Sequence, residues 1–91
     1  MRERDIEAHL VKSVKALGGE VRKVKWISRH GAPDRVVMLP QRPTQWVELK
    51  ATSKLLEPHQ AREHERMRRM GQSTWVIAGL DEIAHFLKSM A

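Results

Sequence analysis

Apolar side chains recur at helical spacing from Glu3 to Leu17, where Ile6, Leu10, Val14 and Leu17 share one stripe with charged residues between them. This spacing predicts an amphipathic helix, which Gly18-Gly19 ends. The pattern then changes to period two. Between Val21 and Ile27, residues Val21, Lys23 and Lys25 alternate with Arg22, Val24 and Trp26, as in a strand with one wet face. Ser28 to Pro33 is a connection. Asp34 to Leu39 is almost continuously apolar and predicts a buried strand, closed by the turn Pro40-Gln41-Arg42-Pro43 that no helix can cross. Gln45 to Ala51 predicts a third strand, and the short gaps predict a meander of all three. Pro58 suits the first position of a helix running to Met70, with Gly71 just beyond it. Ser73 to Ala78 predicts a fourth strand, and Asp81 is expected to cap a last helix carrying Ile83, Ala84, Leu87 and Met90.

The predicted order is therefore α-β-β-β-α-β-α, an α/β layer with a mixed central sheet flanked by helices. The helix before the last strand predicts that this strand runs parallel to an earlier one. Residues 1–91 are expected to form a single domain, since chains of this size support one thin core.

Charge changes the picture most. Seventeen Lys and Arg against eleven Asp and Glu leave a net charge of +6, which predicts a polyanionic partner such as nucleic acid. Cysteine is absent, which removes disulfides, thiolate zinc sites and cysteine nucleophiles. The longest apolar runs, such as Val36 to Leu39, fall far short of the roughly 20 residues of a membrane helix. Met1-Arg2-Glu3-Arg4-Asp5 leads into no apolar run, so no secretory signal and no membrane are expected, and an intracellular protein is.

Within that frame, Glu48 and Lys50 leave one face of the third strand while Val47 and Leu49 leave the other. The ordinary alternative for such a pair is a solvated strand face. Asp34 opens the neighbouring strand, and a hairpin turned near Pro40–Thr44 is expected to bring it close to Lys50. Two carboxylates from adjacent strands make a hard-oxygen site suited to Mg²⁺ or Mn²⁺. Lys50 beside them could orient water or stabilise charge on a phosphoryl group. Glu7, at the edge of the first helix's apolar stripe, is a candidate third acid; its alternative is an exposed helical Glu near the favourable end of the dipole.

The basic residues surround these acids. Arg62, Arg66 and Arg69 fall on one helical stripe, Lys23 and Lys25 share a strand face, and Arg29, His30, Arg35 and Lys54 flank the connections. Together with Arg42 in the proline turn, they read as a phosphate track, which supplies affinity and salt dependence rather than sequence preference. The five histidines show no zinc-ligand spacing, because His59 and His64 do not share a helical face. Trp26, Trp46 and Trp75 read as packing residues.

Gly31-Ala32-Pro33-Asp34, Glu48-Leu49-Lys50 and Pro58-His59-Gln60, in this order, resemble the VRR-NUC branch of the PD-(D/E)XK nucleases over nearly the whole chain. The resemblance implies a restriction-endonuclease-like αβββαβ core. It implies that Glu7, Asp34, Glu48 and the carbonyl of Leu49 ligate Mg²⁺ or Mn²⁺. Lys50 becomes the catalytic lysine, and Gln60 positions either the lysine or the substrate phosphate. With no appended domain, the chain looks like the small stand-alone viral and prophage members. The expected function is a divalent-metal-dependent, structure-selective DNA endonuclease, cutting branched DNA such as four-way (Holliday) junctions as a symmetric homodimer. Competing readings are a non-catalytic basic DNA- or RNA-binding module on the same fold, and an interaction subunit with an incidental charge pattern.

Overall fold

A computed structural model describes residues 1–90. The elements are α1 (Glu3–Ala16), β1 (Glu20–Lys23), β2 (Arg35–Met38), β3 (Gln45–Leu49), α2 (Pro58–Arg69), β4 (Ser73–Ile77) and α3 (Leu80–Ser89). The strands lie side by side in chain order as one sheet. β1, β2 and β3 form the antiparallel meander, and β4 adds parallel to β3 after the α2 crossover. This is the expected mixed sheet between helices.

Period two divides the sheet into two faces. Val37, Val47, Leu49 and Ile77 pack with Ile6, Leu10 and Val14 of α1 and with Ile83 and Phe86 of α3 in one buried cluster. Trp46 and Glu48 alternate with the β3 core residues and so face the other side, toward α2. Trp75 closes the core edge-on to Phe86, their ring centres 4.9 Å apart.

Gly18 and Gly19 do more than end α1. Gly18 holds a φ of +84°, and a Cβ on Gly19 would sit 2.4 Å from the Met38 carbonyl oxygen. Only glycine lets the chain turn here and start β1 against β2.

Several boundaries differ from the pattern reading, each for a local reason. Leu17 is the C-cap of α1 and is half exposed, off the buried stripe. β1 stops at Lys23 rather than Ile27, because beyond the pair of Lys23 with Arg35 the two chains keep one bond, Val24 N–H to Asp34 O. Lys23 and Lys25 therefore do not share a strand face. β3 and β4 end at Leu49 and Ile77, although Lys50 N–H still donates to Ile77 O. The N-cap of α3 is Gly79 instead of Asp81. Glu82 reaches back to accept the Ala78 N–H, leaving Asp81 in the first turn, where its charge still suits the helix dipole. Among the described residues no helix is long and apolar enough to cross a membrane.

Candidate active site

The loop before β2 is fixed by backbone constraints. Gly31 has a φ of +84°, and a Cβ there would lie 2.7 Å from the His59 carbonyl oxygen and 3.0 Å from Gln60 Cα. The loop can rest on the first turn of α2 only because this residue is glycine. Pro33 is buried, and its carbonyl accepts the Trp26 indole N–H at 2.9 Å. Asp34 follows, its own carbonyl accepting the Val24 N–H at 2.8 Å.

The β2–β3 register then decides what Asp34 meets. Arg35 pairs with Val47 and Val37 with Gln45. One further step along that antiparallel register sets Asp34 opposite Glu48, not near Lys50 as the hairpin spacing suggests. The connection takes Leu39–Thr44, and Met38 pairs only with β1, so the β2–β3 register is displaced by two residues. Direct cross-strand neighbours on one face have Cβ atoms about 4.5–5.5 Å apart, the spacing this register implies for the two residues. Lys50, two residues past Glu48, is half-buried at the same end of β3.

Arg35 leaves the opposite face of the sheet, toward α1. Its guanidinium is buried, its Nε donates to Glu7 Oε2, and its Nη1 lies 2.7 Å from Asp34 Oδ1 in a poorly aligned ion pair. Burial pulls the Arg35 pKa down, but the Glu7 hydrogen bond and the charges of Asp34 and Glu7 outweigh it and leave it raised. Arg35 therefore does not belong to an exposed phosphate track. It is an internal counter-ion that ties α1 to the start of β2. The signal for this in the sequence was a lone Arg inside the apolar run Arg35–Met38.

On the α2 side, His64 is completely buried and its Nε2 lies 3.9 Å from Glu48 Oε1. Gln60, one turn earlier, accepts the Glu57 N–H at 2.9 Å, so its amide oxygen caps α2. Glu63 is buried between Arg66, at 2.6 Å, and Arg29, at 3.6 Å. The sequence pattern brings up His64 only as a zinc ligand with His59, which its spacing rules out, and does not single out Glu63. Both sit on a helix so rich in charge that its inward face is hard to read.

A divalent cation suits part of this arrangement. Among the described residues no three His, Asp or Glu side chains cluster closely enough to hold a metal, so Glu7, Asp34 and Glu48 do not form a ready-made cage. Glu7 is engaged by Arg35. Mg²⁺, however, commonly uses one or two carboxylates and keeps its waters. Asp34 and Glu48, from adjacent strands on one face, match that requirement with hard oxygen donors.

Lys23, Lys25, Trp26, Arg29 and Asp34 line an open depression of about 560 Å³ on the approach to these acids. Trp26 stacks obliquely on Trp46, with ring centres 5.2 Å apart. His30, Lys54, Arg62 and Arg69 are exposed, Arg69 in the last turn of α2, at the end of the helix away from the Gly31 loop, and Arg66 is exposed although paired with Glu63. A second, apolar groove at the far end of β2, beside Leu39 and Leu87, is lined in part by Arg42, which therefore lies away from the acids and outside the expected phosphate track.

A scan against protein-family models gives no match. The chain is 40% identical over 81 residues to a protein named "Putative nuclease p44" from Acyrthosiphon pisum secondary endosymbiont phage 1, covering 89% of this chain and 87% of that one. Its structure superposes on a solved "VRR_NUC domain" with a TM-score of 0.86 at 34% identity, covering 94% of each chain. A solved "VRR_NUC domain protein" gives a TM-score of 0.74 at 13% identity, a likeness of fold.

Proposed function

The chain belongs to the VRR-NUC family, and from that premise we propose that it is a divalent-metal-dependent DNA endonuclease. What supports this reading is the β2–β3 register, which, continued one step beyond Arg35 and Val47, sets Asp34 opposite Glu48, with Lys50 two residues further along the chain. Mg²⁺ or Mn²⁺, when bound, supplies Lewis-acid stabilisation of phosphoryl charge and a more acidic water. Asp34, Glu48 and the Leu49 carbonyl are the groups that would hold it, with Glu7 joining if Arg35 releases it.

The remaining work falls to side chains of this protein. Lys50 carries a positive charge to the phosphoryl oxygens as water attacks phosphorus and the bond to the 3′ oxygen breaks. Gln60 keeps the first turn of α2 capped under the Gly31 loop, which fixes the loop that presents Asp34. Lys23, Lys25, Arg29, His30, Lys54, Arg62 and Arg69 receive the DNA backbone without reading bases.

The proposed substrate is branched DNA, such as a Holliday junction, cut by a symmetric homodimer in an intracellular setting. Two symmetric nicks require two centres of matched polarity, which a C₂ pair supplies. Ile27 and Leu55, 86% and 84% exposed on loops beside the site, are available apolar surface for such an interface. The test is cleavage of labelled linear, flapped and four-way DNA with Mg²⁺, Mn²⁺ or EDTA. Metal-dependent nicking with preference for junctions supports the reading. Salt-sensitive binding without cleavage in any metal would favour a non-catalytic DNA- or RNA-binding module, which the engagement of Glu7 by Arg35 would then explain.

A further inference from the structure

A histidine with no exposed surface is expected to bond through its ring, because burying an unpaired polar group is costly. His64 on α2 is 0% exposed, and neither of its ring nitrogens has a hydrogen-bond partner among the described residues. Its neighbours on α2 are already engaged. Gln60 gives its amide oxygen to the Glu57 N–H, and Glu63 is held by Arg66 and Arg29. The nearby acceptor is Glu48 Oε1, 3.9 Å from His64 Nε2, on a side chain only 12% exposed.

That gap is informative. It exceeds a hydrogen bond, yet it is shorter than the roughly 4.5 Å that two ordinary hydrogen bonds through one water would span. A shift of about 1 Å in the Glu48 carboxylate would bring it to bonding distance. Carboxylates that bind metal are themselves commonly held by a donor behind them, which fixes the oxygen that faces the ion.

We propose that His64 is the positioning residue of Glu48: its Nε2–H holds one carboxylate oxygen from the α2 side and leaves the other for the divalent cation. The inference rests on the metal-site reading above. In it, α2 orients a ligand by direct contact, beyond supporting the loop that carries Asp34.

Mn²⁺ binding, measured by calorimetry on the nucleic-acid-free protein at one fixed pH, tests this separately from turnover. His64→Phe keeps an aromatic ring and removes the donor; His64→Gln restores an N–H. The expected result is a 10–100-fold weaker Mn²⁺ Kd for His64→Phe, about the loss seen when such a donor is removed elsewhere, with His64→Gln recovering most of it. A folded His64→Phe protein that binds Mn²⁺ like wild type overturns the proposal, as does a His64→Gln protein as weak as His64→Phe. Glu48→Gln separates the two levels. If it loses Mn²⁺ while His64→Phe does not, His64 alone is misassigned; if it keeps full affinity, the metal-site reading fails with it. Should the His64 variants not fold, nitrogen-15 NMR of the wild-type imidazole decides. A slowly exchanging proton on Nε2 that moves downfield on Mg²⁺ addition is expected, and a ring protonated only at Nδ1 overturns the assignment.

Discussion

The buried guanidinium of Arg35 on β2 is bonded to the carboxylate of Glu7 on α1 and ion-paired with Asp34, the residue before it. One positive charge thus occupies the space between two acids that would otherwise repel. The pairing sets the position of α1 against the sheet and keeps a cation beside Asp34 without any metal.

Replacing Arg35 with Leu should therefore cost stability. Loss of one partner from a fully buried pair costs about 3–5 kcal/mol. Glu7 and Asp34 keep roughly a third or more of their side-chain surface in water, which discounts the loss to about 1–3 kcal/mol. Urea unfolding measures it. Added Mg²⁺ should narrow the difference from wild type, since a second cation can then sit between the acids. A variant as stable as wild type would show the pair to be a surface contact.

Gly31→Ala tests the loop. The residue's φ of +84° and the 2.7 Å approach of a Cβ to the His59 carbonyl both oppose any side chain. About 1–3 kcal/mol of strain is expected, either as lost stability or as displacement of the loop from α2 with loss of cleavage. Thermal melts and cleavage assays on one preparation distinguish these outcomes. Unchanged values in both would mean that the loop is free of α2.

The fold was largely legible because its elements carry strong periodicity. Ile6, Leu10 and Val14 mark α1, and the runs at Val36 and Val47 mark strands whichever register they adopt. Register itself was not legible. It depends on how many residues the β2–β3 connection consumes, and Leu39–Thr44 consumes more than the proline turn alone. Asp34, Glu48 and Lys50 could be picked out because charge at the ends of apolar strands is costly without a purpose. Arg35 was misread for a related reason: composition reveals that a charge is present, whereas its direction, inward to Glu7, is set by the faces of the folded sheet. His64 lay hidden in a helix whose exposed arginines dominate the pattern.

Arg62→Gln combined with Arg69→Gln should reduce DNA affinity alike for all sequences and lower the slope of log K against log salt by about 2, one unit for each phosphate no longer neutralised. Neither side chain is buried, so folding should be unaffected. Titration over a range of salt checks this. An unchanged slope would place the DNA on another face.

Ile27→Glu with Leu55→Glu should convert a dimer to a monomer in light scattering and reduce junction cutting more than nicking of plain duplex, because paired nicks need both centres. A wild-type protein that is already monomeric at micromolar concentration, and cuts duplex as fast as junctions, would remove the homodimer from the account.

The central claim is that Asp34 and Glu48 jointly form a metal-dependent cleavage centre. It is tested most directly by four-way-junction cleavage at saturating Mg²⁺, comparing wild type with Asp34→Asn and Glu48→Gln. Each change removes a charge and preserves shape. The account predicts Mg²⁺-dependent nicking by wild type and loss of at least about 10²-fold in each variant, the scale of removing one group that stabilises the transition state, with folded circular-dichroism spectra throughout. Wild-type rates in either folded variant would contradict it.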